Sequence, residues 1–195
     1  MAARVSAALV TAATPIGAFT AVVTDRGVAA TWFHGDDIST AGTHAEAALA
    51  EAEAMLGQRV NPAPRGLASV RREVEGYFAG TCRTFETPVD LALGPGGFGR
   101  RVLAITASIP YGELWTYGDV AQMAGSSRGG RAAGNALNRC RIELFVPCHR
   151  VVHAGGTIGG YGRHTDRKRF LIALERGAVD HAGDPTRGRS PRRAR

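Results

Sequence analysis

TYGDVAQMAGSSRGGRAAGNALN, residues 116–138, is the stretch whose reading decides the fold. Thr116 is placed to cap a short helix over 117–123, its hydroxyl meeting the orphan amides of the first turn. Gly125-Ser126-Ser127 makes a turn, and a second helix runs over 128–138, carrying Arg128 and Arg131 among small residues. Two short helices joined by a glycine turn form a helix-turn-helix pattern. Upstream, 98–108 reads as a helix stopped by Ile109-Pro110. Downstream, 144–146 reads as a buried strand or extended segment leading into Pro147-Cys148-His149-Arg150. Gly155-Gly156 and Gly159-Gly160 then bracket a tight, hairpin-like loop. The last helix opens at Thr165, with Asp166 in its first turn, and ends at Arg176-Gly177.

The N-terminal part has a different pattern. Short apolar runs at 5–10, 18–23 and 28–33 are separated by Pro15-Ile16-Gly17 and Asp25-Arg26-Gly27, which predicts an antiparallel β-meander. Strong helix formers fill 44–56, with Gly57 as a stop, and Asn61-Pro62-Ala63-Pro64 is a linker. Leu67, Val70, Val74, Tyr77 and Phe78 recur at helical spacing over 67–79, and 85–93 is a candidate strand. Gly94-Pro95-Gly96-Gly97 is the best boundary in the chain. It divides the sequence into a structural α/β part over 1–93, a mainly helical part over 94–178, and a basic tail over 179–195 expected to be disordered.

Charge is unevenly placed. The net charge is +7, yet from Gly94 onward there are 17 basic and 7 acidic residues, so the C-terminal half is the one to set against a polyanion. Five of those basic residues lie in the tail after Thr186, and the half remains positive without them. No apolar run reaches the ~18 residues that span a bilayer, and the opening residues lack the core and cleavage site of a signal peptide. A cytoplasmic protein without membrane partners is expected.

Cys82, Cys140 and Cys148 form no Cys-x-x-Cys pair, so neither a disulfide framework nor a zinc site is suggested, and no metal or cofactor is expected. Cysteine attacks as the thiolate, so a reactive one needs a base or positive surroundings. Cys148 has His149 and Arg150 beside it. Neighbouring side chains point apart in an extended segment, which makes a bridging water a better route from His149 than direct contact.

Pro147-Cys148-His149-Arg150-Val151-Val152, preceded by Thr116-Tyr117-Gly118 and Gly130-Arg131-Ala132 and followed by Gly160-Tyr161-Gly162, resembles the O6-alkylguanine-DNA alkyltransferases. TPIG at 14–17, YFAG at 77–80 and IPYGE at 109–113 are similar to that family as well, so the resemblance covers roughly residues 8–178. It implies an α+β chain with a ribonuclease-H-like N-terminal α/β domain and a mainly helical, winged-helix-like DNA-binding domain.

The implied activity is direct, single-turnover transfer of an alkyl group from O6-alkylguanine, and from O4-alkylthymine, in double-stranded DNA. Cys148 would be the acceptor, His149 its base through water, and Glu175 the group that orients His149. Tyr117 would donate its hydroxyl to the leaving guanine, with Lys168 assisting or supporting the cysteine loop. Arg131 would enter the duplex in place of the flipped base, on a DNA-facing surface that also has Arg128, Ala132, Gly134, Asn135 and Tyr117. Leu137, Val151, Gly159, Gly160 and Tyr161 would shape the lesion pocket. The protein would be a monomer in solution that binds DNA with cooperativity along the strand.

Four positions depart from the family pattern, at three places in the chain. Cys140-Arg141 stands where an Asn-Pro hinge is usual, Glu143 where an apolar residue or proline is common, and Leu103 where tryptophan is common. The first two bear on the rigidity of the connection to Cys148. Cys140 is an extra thiol near the DNA face and is expected to be inert, the alternative being a second alkylation or oxidation site. Two alternatives share these residues. One is a lesion-binding sensor that flips the base and recruits other factors; it would not need Cys148. The other is a helix-turn-helix regulator with Cys148 as sensor; its glycine- and alanine-rich second helix offers little for specific base readout. A Cys148–His149 hydrolase is disfavoured by the adjacency of its two groups and the lack of an oxyanion-hole motif.

Overall fold

The structure is a computed structural model that describes residues 7–35, 41–57, 67–162 and 164–178. The 61–64 linker and the 179–195 tail lie outside the described residues.

Three strands, β1 (Ala7–Thr14), β2 (Gly17–Thr24) and β3 (Gly27–Phe33), pair antiparallel in the order β1-β2-β3. Thr14 pairs with Gly17 and Thr24 with Gly27, so each hairpin turns on two residues. Both glycines have positive φ, at 109° and 127°. A Cβ on Gly27 would fall 2.1 Å from the Pro88 carbonyl oxygen, so glycine alone fits. The first strand continues to Thr14, past the end of the 5–10 run. Its second half is Val-Thr-Ala-Ala-Thr, which pairs as strand without a marked hydrophobic pattern.

Side chains alternate across the sheet. Val10, Ala12, Phe19 and Ala21 face the main core with Val70, Val74 and Tyr77 of α2 (Leu67–Phe78). Leu9, Val22 and Trp32 face the other way and meet Leu49 and Ala52 of α1 (Ala41–Leu56).

Residues 85–93 are not the expected strand. Only Val89 bridges to Val28, and Leu91–Leu93 is a 3-10 turn capped by the Asp90 side chain, which accepts from Ala92 N at 3.0 Å. Pro88 has no amide to give to a ladder, so pairing with β3 is confined to Val28 N to Pro88 O and Asp90 N to Val28 O, both 2.8 Å.

In the C-terminal part α3 (Gly97–Ala107) packs on α4 (Tyr117–Met123) and α5 (Gly130–Leu137). Thr116 caps α4 in a full capping box: its hydroxyl accepts from Asp119 N at 3.1 Å, and Asp119 accepts from Thr116 N at 2.8 Å. Arg128 lies in the turn before α5, two residues ahead of the helix, because Gly129 and Gly130 favour a later start.

Two short strands, β4 (Trp115–Thr116) and β5 (Val151–Val152), pair in parallel. That pairing sets the N-terminus of α4, and so Tyr117, beside the cysteine segment. The segment expected as strand at 144–146 is a buried turn, with Leu144 at φ 74° and Val146 N bonded to Ile142 O at 2.9 Å. Residues from both sides of Gly94 share one hydrophobic core, from Phe19 and Tyr77 to Phe145, Leu171 and Leu174, the last two on α6 (Thr165–Glu175).

Candidate active site

Cys148–Arg150 forms a single 3-10 turn, not an extended run, with all three residues buried. The turn follows Pro147, and Cys148 N bonds back to Val146 O at 2.7 Å. His149 and Arg150 therefore both reach α6. The Glu175 carboxylate accepts from His149, Tyr77, Gly112 and Arg150 together. His149 Nε2 lies 2.8 Å from Oε1, Tyr77 Oη 2.7 Å from Oε1, and Gly112 N 2.9 Å from Oε2. Arg150 contributes Nε at 3.0 Å from Oε2 and Nη2 at 2.8 Å from Oε1. Its other terminal nitrogen donates to the Ile109 carbonyl, and its guanidinium lies over the Tyr111 ring.

This network fixes protonation. Burial alone would raise the Glu175 carboxyl, but the hydrogen bonds from His149 and Arg150 and the Arg150 charge outweigh it and hold Glu175 well below the usual carboxylate range. Burial lowers His149 below its ordinary value, against the pull of Glu175. The imidazole is thus neutral at physiological pH. With Nε2–H donating to the carboxylate, Nδ1 is the lone-pair nitrogen. Nδ1 is buried and has no hydrogen-bond partner among the described residues.

Cys148 lines a small cavity of about 50 Å³ with Tyr117, Leu137, Cys140, Glu143 and Tyr161. That is less than two water molecules' share of liquid volume, ~30 Å³ each. The Cys140 thiol beside it, and then burial, hold the Cys148 thiol well above the usual thiol range; Lys168 pulls it down. Lys168 is fully buried, donates to Val151 O at 2.6 Å and lies 5.7 Å from the Tyr117 ring. Burial lowers its pKa to about 8. Burial raises the Tyr117 phenol, so Tyr117 stays a hydroxyl donor.

A larger groove, about 490 Å³, runs along the exposed side of α5. Arg131 and Asn135 line it, with Tyr117, Asn138 and Gly160 shared between groove and cavity. Arg131 is exposed. Gly159 is pressed against Tyr117: a Cβ there would fall 2.6 Å from Tyr117 Oη.

The structure brings Cys148, Tyr117, Leu137, Gly160 and Tyr161 together, with His149, Glu175 and Lys168 behind them. Val151 lines neither cavity and is fully buried; it reaches the site through its carbonyl. Ala132 is exposed on α5, whereas Ala133 and Ala136 are buried. The small residues of that helix therefore serve its packing as well as its outer face. Arg128 is exposed in the preceding turn, outside the groove lining.

Sequence reasoning assigns Arg150 only a general positive potential, and nothing to Tyr77 or Gly112. The last two sit in YFAG and IPYGE, so the motifs that had no stated role are the ones that hold Glu175. The Cys140–Glu143 connection is braced from outside. Thr31 N donates to Arg141 O at 2.6 Å, Thr31 Oγ1 to Glu143 O at 3.1 Å, and Arg141 pairs with Glu51 at 2.9 Å. The meander and α1 therefore steady the segment that lacks the hinge proline.

Fold and site together define a helix-turn-helix protein built around a buried cysteine backed by a His149–Glu175 pair. The model of the 6-O-methylguanine DNA methyltransferase DNA binding domain matches residues 97–177. The chain is 42% identical over 113 residues to the methylated-DNA–protein-cysteine methyltransferase of Mycolicibacterium paratuberculosis, covering 58% of this chain and 67% of the relative. It is 43% identical over 106 residues to that of Methanosarcina acetivorans, covering 53% and 65%. The match thus spans about two thirds of these relatives' own length. Among solved structures it is similar to Mycobacterium tuberculosis OGT in complex with DNA, with TM-score 0.69, 29% identity, and coverage of 89% of this chain and 96% of that one. The chain belongs to the methylated-DNA–protein-cysteine methyltransferase family. Among the described residues no helix is long and apolar enough to cross a membrane.

Proposed function

We propose that this protein repairs alkylated DNA by transferring the alkyl group of O6-alkylguanine, and of O4-alkylthymine, to Cys148, once per molecule. The observation that carries this reading is the placement of the Cys148 thiol in a small cavity that adjoins the α5 groove, with Tyr117 at their junction. A lesion-binding sensor would have no use for a thiol backed by a buried His149–Glu175 pair.

The alkyl carbon lies inside the base stack, so the nucleotide is extruded before sulfur can reach it. Extrusion costs a few kcal/mol, offset by pocket contacts and an inserted side chain. Arg131, exposed on α5, is that side chain, and Ala132, Gly134 and Asn135 lie along the duplex with Arg128 in the turn beside them. The cavity is too small for a base as it stands, so the 155–162 loop, with Gly159, Gly160 and Tyr161, gives way to admit it; Leu137 lines the pocket, and Val151 acts on it through the carbonyl that holds Lys168.

His149 Nδ1 takes the Cys148 proton through a water, and the imidazolium is stabilised by Glu175. The thiolate then attacks the alkyl carbon from the side opposite O6. The C–S bond forms as the C–O6 bond breaks, and the electron pair passes to the guanine ring. Tyr117 donates to the ring as that charge develops. Lys168 adds positive charge near the thiolate and ties β5 to α6. The thioether has no leaving group that this site could displace, so the molecule is spent.

We read 1–93 as a ribonuclease-H-like structural domain and 94–178 as a winged-helix-like DNA-binding domain, the two packed on one hydrophobic core. The basic 179–195 tail adds non-specific DNA affinity. Deleting residues after Gly183 should weaken binding and flatten its salt dependence; an unchanged slope would rule the tail out. The protein acts in the cytoplasm, as a monomer that binds cooperatively on DNA. With lesion duplex in excess, restored guanines should plateau at one per protein molecule. Continued turnover would contradict the proposal.

A further inference from the structure

Cys140 and Cys148 line the same small cavity, and the Cys140 thiol is the largest influence holding the pKa of the Cys148 thiol up. Both are free cysteines. Cys140 is half-buried and also borders a second cleft, of about 440 Å³, lined by Thr31, Phe33, Arg141 and Arg167. A small oxidant can therefore approach the pair from a side other than the α5 groove. Cys140 lies beyond the end of α5, outside any helix or strand, and the 142–146 turn returns the chain so that Cys148 faces it. No helix or strand lies between the two cysteines, and the bonds from Thr31 to Arg141 O and Glu143 O hold the segment in the place where both thiols border one cavity; a disulfide asks for Cα atoms roughly 4.4–6.8 Å apart.

We propose that Cys140 is a resolving cysteine: a peroxide joins Cys140 and Cys148 in a disulfide that shelters the acceptor sulfur from irreversible oxidation and suspends alkyl transfer until a dithiol reduces it. The chemistry balances. One sulfur attacks a peroxide oxygen, the O–O bond breaks, and a sulfenic acid forms with release of water or an alcohol. The second thiol attacks that sulfur, the S–S bond forms, the S–O bond breaks and water leaves. Two electrons pass from the sulfurs to the peroxide, and either cysteine can begin the sequence with the same product. The disulfide itself rests on the placement of two thiols; its effect on repair rests on the function proposed above.

The test is peroxide treatment of the full chain, capping of free thiols with iodoacetamide, tryptic digestion without reduction, and mass spectrometry. The expected product links the Cys140-Arg141 dipeptide to the 142–150 peptide with loss of two hydrogens, and Cys82→Ala leaves that link intact. Methyl transfer should fall with the link and return to its untreated level after dithiothreitol. In Cys140→Ser, the same peroxide dose should carry Cys148 to sulfinic acid and abolish transfer irreversibly. Wild-type protein with sulfinic Cys148 and a capped, free Cys140 would overturn the proposal, as would a Cys148 linked to Cys82 or to another chain. A link that forms while transfer is unaffected would leave the disulfide standing and overturn the proposed role of Cys148 in repair.

Discussion

His149 Nε2 meets Glu175 Oε1 at 2.8 Å in a buried site where the same carboxylate also holds Tyr77, Gly112 and Arg150. One side chain at the end of α6 thus fixes the imidazole, the arginine of the cysteine turn, and two segments from earlier in the chain. Removing its charge would leave Arg150 buried without its counterion. Glu175→Gln should cost about 3–5 kcal/mol of stability and slow transfer at least ~10²-fold through loss of the base. Urea unfolding and single-turnover kinetics on the same preparation would separate the two effects. A stable variant with normal transfer would contradict the role given to Glu175.

The same carboxylate governs stability in acid. Its folded pKa is depressed, so the fold binds fewer protons there than the unfolded chain does. The stabilisation is complete above the unfolded value of about 4.3 and is lost as pH falls below it towards the folded value. Wild-type protein should lose stability steeply below about pH 4, a dependence that Glu175→Gln should flatten. Denaturant unfolding at a series of pH values would read this directly.

Lys168 acts at the other end of the pH axis. Burial lowers its pKa to about 8. Between there and the unfolded value of about 10.4 the unfolded chain binds the extra proton, so the Lys168 contribution to stability rises with pH across that window, opposed by the raised Cys148 thiol, and is read as the difference between wild type and Lys168→Met. Lys168 is the only lysine in the chain, so no second lysine ammonium obscures its titration. Lys168→Met should abolish the rise, and a chemical shift titration of the labelled lysine should show a midpoint near 8.

Tyr117 and Gly159 form one unit. Tyr117→Phe removes the donor and should slow transfer about 10²-fold while leaving stability within about 0.5 kcal/mol. Gly159→Ala places a methyl 2.6 Å from Tyr117 Oη, so it should displace the ring and reproduce the loss without touching the hydroxyl. Gly159→Ala with wild-type kinetics would show that the contact does not position Tyr117.

Arg131 should matter most when a base must be extruded from intact duplex. Arg131→Ala should lower transfer on duplex DNA more than on a single-stranded lesion, because only the duplex has a stack to fill. Equal losses on both substrates would make Arg131 a phosphate contact instead.

Local structure with a local cause was legible in the sequence. Thr116 and Asp119 sit at capping-box spacing, and the structure closes that box. The glycines at 17 and 27 mark both hairpin turns. Boundaries that depend on tertiary pairing were not legible. The 85–93 run looks like a strand by composition, but Pro88 and the Asp90 cap leave it one bridge. Apolar 144–146 is buried by a turn through a left-handed Leu144, which no pattern of leucine announces. In the site, Cys148 and His149 stand out as a local motif, whereas Glu175 was reachable only through family resemblance. Its bonds to Tyr77 and Gly112 bridge 98 and 63 residues, distances over which sequence spacing says nothing.

The most direct test of the account is mass spectrometry of wild-type and Cys148→Ala protein after incubation with a duplex that contains O6-methylguanine. The account requires one methyl on the Cys148 peptide, stoichiometric with restored guanine, and none anywhere in the variant. An unmodified Cys148 in protein that binds the lesion tightly, or a methyl on Cys140 in its place, would contradict it.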